Sequence, residues 1–105
     1  MSTSIIVVGA NGRMGRTLSQ LVDAEPAFNL AGMVDSKEHV GKLAGSPCPV
    51  GDSLAAVLPQ APGAVTIDFT APAVSLQSAR TVAESGRALV IGTTGFTDEE
   101  KDELQ

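Results

Sequence analysis

The chain is 105 residues long, carries seven Lys and Arg against twelve Asp and Glu for a formal net charge of -5, and is 43% hydrophobic and 18% charged. That length excludes a multidomain enzyme, and the low charged fraction excludes a disordered polyelectrolyte, so one packed domain over residues 1-105 is expected. The acidic balance weighs against a nucleic-acid partner, which needs a basic surface to displace phosphate counterions.

The acidic excess is local. Residues 98-103 hold five acids and one lysine, while four of the seven bases, Arg13, Arg16, Lys37 and Lys42, lie in the first 42 residues. No apolar run approaches the length of a membrane span, and Met1 leads into Ile5–Val8 without a basic leader segment, so neither a membrane nor a secretory route is expected. The single cysteine, Cys48, can form no intrachain disulfide, in keeping with a cytoplasmic location.

In chain order, Ile5–Val8 is a β-branched run that ends at Gly9 and predicts a strand. A helix follows, with Met14, Leu18, Leu21 and Val22 at spacings that form an apolar face. Pro26 closes it, and Phe28–Val34 reads as a second strand ending at Asp35, which makes the first 35 residues a βαβ unit. Residues 36-49 show no periodicity and read as loop. Asp52 and Ser53 are placed to cap a short helix carrying Leu54, Val57 and Leu58, ended by Pro59 and Pro62. Ala64–Ile67 is a third strand, and Ala73–Ser85 a helix with Pro72 in its first turn and Val74, Leu76, Ala79, Val82 and Ala83 available for burial. Ala88–Ile91 is a fourth strand, and residues 97-100 form a capping box at the start of a last helix. Buried-type strands alternating with helices predict an α/β fold, a Rossmann-like doubly wound parallel sheet. The last helix stops at Gln105 after about two turns and has only Leu104 as an apolar residue. The expectation is therefore the truncated N-terminal part of a longer protein, with a self-contained flavodoxin-like domain as the alternative.

Gly9-Ala10-Asn11-Gly12-Arg13-Met14-Gly15 lies where a strand hands over to a helix. Small residues there let the backbone turn tightly and approach a pyrophosphate, and the helix start presents free N–H groups to it. Asp35, twenty residues past Gly15 at the end of the second strand, is placed to accept hydrogen bonds from an adenosine ribose. A 2′-phosphate would face its charge, but Arg13 and Lys37 can offset it, so NADH and NADPH both stay open. The loops 68-72 and 92-96 follow strands at the end of the sheet where ligands bind, and offer Phe69, Thr70, Gly92, Thr93 and Thr94 to a nicotinamide. No catalytic triad, carboxylate pair or metal cluster is formed by spacing: His39 reads as a solvated loop residue, Cys48 lacks a second ligand, and the acids after Thr97 read as a solvated helix start.

The motifs GANGRMG, IDFTAP and IGTTGFT, in this order and spacing over essentially the whole chain, resemble the 4-hydroxy-tetrahydrodipicolinate reductase family, which serves lysine and diaminopimelate biosynthesis. The resemblance implies that Gly9, Ala10, Asn11, Gly12, Arg13 and Met14 hold the pyrophosphate and adenosine side of NADH or NADPH, and Asp35 the ribose. It implies that Phe69 and Thr70 line the nicotinamide half and that Gly92, Thr93 and Thr94 hold the nicotinamide, with Thr94 near the substrate. Ser36 stands where many family members carry a basic residue, which leaves 2′-phosphate recognition open. The implied reaction is hydride transfer to a small cyclic dicarboxylate with loss of water. The family's catalytic residues lie in a substrate domain that follows this region, so the chain alone is expected to bind cofactor without turnover. The family also implies a homotetramer assembled through that domain, and a monomer for this chain. A stand-alone NAD- or CoA-sensing module, or a dehydrogenase acting on aspartate semialdehyde or homoserine, are the alternatives.

Overall fold

The computed structural model describes residues 3-37, 41, 48-61, 63-68, 70, 72-85 and 88-92. The expected capping box at 97-100 lies outside these residues, as do His39, Phe69, Thr93, Thr94 and most of the expected loop 36-49. Five parallel strands, β1 (Thr3–Val8), β2 (Phe28–Val34), β3 (Val50–Gly51), β4 (Val65–Asp68) and β5 (Leu89–Ile91), form one sheet in the order β3-β2-β1-β4-β5. Among the described residues, three helices, α1 (Arg13–Ala24), α2 (Leu54–Val57) and α3 (Pro72–Ser85), connect them, and a 3-10 turn at Leu58–Gln60 follows α2. This is the doubly wound, Rossmann-like arrangement the sequence predicts. Chain direction across the sheet reverses at β1, whose neighbours are β2 on one side and β4 on the other, so the crevice beyond the carboxyl end of β1 is the switch point where such sheets bind ligands.

The β-branched runs become strands because both faces of the sheet are covered. Ile5 and Val7 face a cluster with Val22, Leu30 and Met33, while Ile6 and Val8 face a second cluster with Leu54, Val57, Leu58 and Val82. Ile6 and Val7 are fully buried, each contributing about 1.5–3 kcal/mol of hydrophobic stabilisation. The register between β1 and β2 slips between Ile5 and Ile6, which pairs Ile6 with Gly32. A Cβ on Gly32 would stand 2.6 Å from Val57 Cγ1, so a glycine lets α2 sit directly on β2.

Four expectations are corrected. The edge strand β3 was not foreseen, because two residues carry no periodicity. Second, α1 buries Val22 as expected but not Met14 and Leu21, which are 50% and 62% exposed; Gly15 and Ser19 face the sheet beside Val22 instead. The glycine and the serine let the helix approach closely, and Ser19 Oγ satisfies itself on Gly15 O at 2.8 Å. Likewise α3 buries Ser75, Ser78 and Val82 and leaves Val74 and Ala83 exposed. Finally, Ser53 precedes α2 as expected, but its hydroxyl makes no capping bond; its carbonyl accepts from Ala56 N and Val57 N.

Candidate functional site

At the switch point, β1 runs into Gly9, whose φ of +82° is a left-handed conformation that glycine adopts without strain. Gly9 N and Ala10 N both donate to Val34 O, at 2.8 and 3.1 Å, which holds the loop against the end of β2. The chain then turns through Gly12, whose N–H donates to Gly9 O at 3.0 Å, and enters α1. No side chain caps this helix start and no acid occupies its first turn, so its N–H groups and partial positive charge remain available to an anion.

The third glycine fixes how near the helix comes. A Cβ on Gly15 would stand 2.0 Å from Gly9 O and 2.8 Å from Ala10 Cα, both backbone atoms that cannot swing away. A Cβ on Gly9 would meet Thr70 Cγ2 at 2.7 Å, so the loop after β4 closes over the glycine turn from the opposite side of the crevice. These are the close approaches that the glycine pattern predicts. Ala10 is fully buried in the core beside Val7, so its side chain faces away from the crevice and only its backbone is available there.

Asp35 stands at the end of β2 with its backbone N–H on Gly51 O at 3.2 Å. Its carboxylate accepts from Asn11 N at 2.8 Å through Oδ2 and from Ser36 N at 2.7 Å through Oδ1. The acid expected at the ribose end is thereby joined directly to the glycine loop. Across the crevice, Asp68 at the end of β4 is fully buried. Its Oδ1 accepts from Thr70 N at 2.9 Å, Thr70 Oγ1 at 2.5 Å and Ser75 Oγ at 3.0 Å. This one oxygen shapes the turn after β4 and ties it to the first turn of α3. Sequence reasoning placed Asp68 in a strand-end loop without giving it a role. The signal is the spacing itself, an acid two residues before a threonine, the reach of an Asx turn, and a serine in the first turn of the helix that follows.

A cleft of about 340 Å³ opens between these strand ends, bounded by Gly9, Asp35, Ser36, Asp52, Thr70 and Gln77. It adjoins a smaller one of about 150 Å³ toward α2 and α3, lined by Ser53, Leu54, Ser78 and Thr81. Gly9, Asp35 and Thr70 thus meet around one cavity, and Asn11 joins them through its bond to Asp35. Gly12, Arg13 and Met14 are exposed beside the cavity's glycine turn without bounding it. Gly92 is bonded through its N–H to Asp68 O at 2.8 Å at the end of β5. Phe69, Thr93 and Thr94 lie outside the described residues. Of the other lining residues, the sequence marks Ser36 for 2′-phosphate recognition and Asp52 only as a helix cap, and does not single out Gln77 of α3, because its place at the cavity depends on how the strands align. Among the described residues, no group of three or more His, Cys, Asp or Glu side chains is arranged to hold a metal. Cys48 lies half-buried, and burial pushes its thiol pKa up, with the Asp23 carboxylate adding to the effect.

The family described as "Dihydrodipicolinate reductase, N-terminus" matches residues 3–105. The chain belongs to this family. It is 79% identical over 104 residues to the 4-hydroxy-tetrahydrodipicolinate reductase of Desulfovibrio desulfuricans, covering 99% of this chain and 40% of that protein. The reductase of the same name from Methanocorpusculum labreanum is 40% identical over 100 residues, which cover 95% of this chain and 39% of that protein. Among solved structures, a dipicolinate-bound dihydrodipicolinate reductase from Paenisporosarcina sp. TG-14 superposes with a TM-score of 0.81 at 27% identity, over 99% of this chain and 42% of that one. An aspartate semialdehyde dehydrogenase from Vibrio cholerae shares the fold alone, at 19% identity and a TM-score of 0.67. The chain spans about 40% of the length of the curated relatives it matches.

Proposed function

We propose that the chain is the dinucleotide-binding part of an NAD(P)H-dependent reductase that converts 4-hydroxy-tetrahydrodipicolinate to tetrahydrodipicolinate in lysine biosynthesis. The observation that carries this reading is the 2.8 Å bond from Asn11 N–H to the Asp35 carboxylate. Through it a glycine turn at a helix start and an acid on the neighbouring strand become one wall of the same cleft. The residues fit the group they would hold. Bare N–H groups at the start of α1 suit a pyrophosphate, Gly9 and Gly15 keep the backbone clear of side chains, and Asp35 suits the vicinal hydroxyls of a ribose. A bound reduced nicotinamide would supply the hydride.

In this reading Gly9, Ala10, Asn11, Gly12, Arg13 and Met14 contact the pyrophosphate and adenosine side, Ala10 through its backbone. Thr70, with Phe69, borders the nicotinamide half, and Gly92, Thr93 and Thr94 hold the ring. Asp35 and Asp52 border the same cleft, and two carboxylates there repel a 2′-phosphate, which makes NADH the better ligand. Exposed Arg13 and Lys37 are the cations available to moderate that preference. The cationic groups required by a dicarboxylate substrate, and the contacts of a homotetramer, belong in this proposal to the part of the relatives beyond the matched region.

The chain contains no Trp or Tyr, so the fluorescence of NADH can be followed on binding without protein background. The expected result is saturable enhancement by the folded chain, reversed by ADP-ribose, which carries the pyrophosphate and the ribose without the nicotinamide. A folded sample that leaves NADH fluorescence unchanged and binds no ADP-ribose by calorimetry would overturn the proposal.

A further inference from the structure

Arg16 lies on the exposed side of α1, one residue beyond the last glycine of the loop, and faces back toward it. Its Nε donates to Asn11 O at 3.0 Å and its Nη2 donates to Asn11 Oδ1 at 2.6 Å. A planar guanidinium thus grips one residue by a main-chain and a side-chain oxygen together, a two-pronged geometry that an ammonium cannot reproduce. From the other direction, Asn11 N–H donates to Asp35 Oδ2 at 2.8 Å. Asn11 is therefore fixed at three of its polar atoms, two by the helix that follows the loop and one by the strand beside it.

Both Arg16 bonds are exposed, so as contributions to folding they are small, and ordering a long side chain offsets part of what they give. Their geometric effect is larger. Asn11 sits between the buried Ala10 and the helix-capping Gly12, and a peptide there that can rotate carries its neighbours' N–H groups with it. Holding that peptide before a ligand arrives lowers the ordering cost of binding.

We propose that Arg16 is a positioning residue that acts through Asn11 to hold the glycine loop in the conformation that receives the dinucleotide pyrophosphate. The inference rests on the dinucleotide reading above and adds to it a residue outside the glycine pattern. The competing role for the same side chain is direct Coulombic contact with a phosphate through the guanidinium N–H groups not used on Asn11.

A set of four variants, Arg16→Ala, Arg16→Lys, Asn11→Ala and the Arg16→Ala/Asn11→Ala pair, separates these roles when NADH binding is titrated calorimetrically at low and moderate salt. Positioning predicts that Arg16→Ala weakens NADH about five- to tenfold, that Arg16→Lys behaves like Arg16→Ala, and that the loss shrinks when Asn11 is already Ala. Full rescue by Lys, or an undiminished loss in the Asn11→Ala background that grows as salt falls, would assign a direct phosphate contact and overturn the inference. Amide hydrogen exchange of the free chain gives a readout independent of any ligand. Asn11 N–H is expected to exchange several-fold faster in Arg16→Ala while core strand amides are unchanged, and an unaltered Asn11 rate overturns the inference. Absence of NADH binding by folded wild-type chain would instead overturn the dinucleotide reading.

Discussion

Replacing Gly15 with Ala sets a favourable local effect against an unfavourable packing effect, and the structure decides between them. In an isolated helix the change stabilises by about 1 kcal/mol, because alanine loses less backbone entropy than glycine. Here the new methyl would stand 2.0 Å from Gly9 O, 2.7 Å from Gly9 C and 2.8 Å from Ala10 Cα. Ordinary contact begins near about 3.5 Å, so α1 must retreat from the glycine turn by more than about 1 Å. Overpacking against backbone costs about 1–3 kcal/mol or more, and retreat also loosens Val22 from its cluster with Ile5, Val7 and Leu30. The packing cost wins, with a net destabilisation of about 2 kcal/mol, which for a domain of this size lowers Tm by roughly 8–16 °C. The same retreat moves the loop N–H groups away from the pyrophosphate, and NADH affinity is expected to fall about tenfold or more. Thermal unfolding followed by circular dichroism measures the first effect and calorimetry the second. A Gly15→Ala chain as stable as the wild type, with unchanged NADH affinity, would refute the reasoning.

Asp35→Ala is expected to weaken NADH more than NADPH, and to cost about 1 kcal/mol of stability by leaving Asn11 N–H without its acceptor; equal loss for both cofactors in paired titrations would show that Asp35 is not the ribose acceptor. Asp68→Ala leaves the donors of Thr70 and Ser75 without a buried acceptor and is expected to cost about 2–4 kcal/mol. Asp68→Asn keeps an oxygen in place and is expected to cost less, and denaturant unfolding of the pair tests that order. The raised thiol pKa of Cys48 predicts slow reaction with a disulfide reagent at neutral pH relative to a free thiol, accelerating as pH rises. Because the folded state holds the proton more tightly, this contribution is fully present below the ordinary thiol pKa and is lost as pH rises from there through the raised folded-state value, which unfolding followed upward from about pH 8 would register.

The positions of β1, β2, β4 and β5 were legible because their apolar runs are short and bounded by glycine, proline or acid, whereas the two-residue edge strand β3 was not. Helix positions were legible too, but their buried faces were not. In α1 the expected face is Met14, Leu18, Leu21 and Val22, whereas the buried stripe is Gly15, Ser19 and Val22, which shares only Val22 with it. A rule that favours large apolar side chains selects the first. The sheet selects the second, because Gly15 and Ser19 permit the close approach the glycine turn demands and Ser19 satisfies its hydroxyl on its own helix. Ser75 and Ser78 in α3 repeat the lesson, and Ser75 is buried because Asp68 awaits its hydroxyl.

At the site, the glycine turn and Asp35 could be found from sequence because their spacing reflects local geometry, one turn and one βαβ repeat. Asp52 could not, because it borders the cleft only once the strands align; Asp68 was missed although its bonds to Thr70 and Ser75 are local in sequence. Arg16 belongs to a third kind. Its spacing of five from Asn11 spans the loop-to-helix junction, where neither helical nor strand periodicity predicts which side chains meet.

The most direct measurement is calorimetric titration of the folded wild-type chain with NADH and with NADPH at low and moderate salt. Saturable binding of both, with NADH the tighter, is the expected result if the glycine turn receives the pyrophosphate and the carboxylates of Asp35 and Asp52 face the ribose. No heat of binding from either cofactor, with the circular dichroism spectrum of a folded α/β domain, would contradict it.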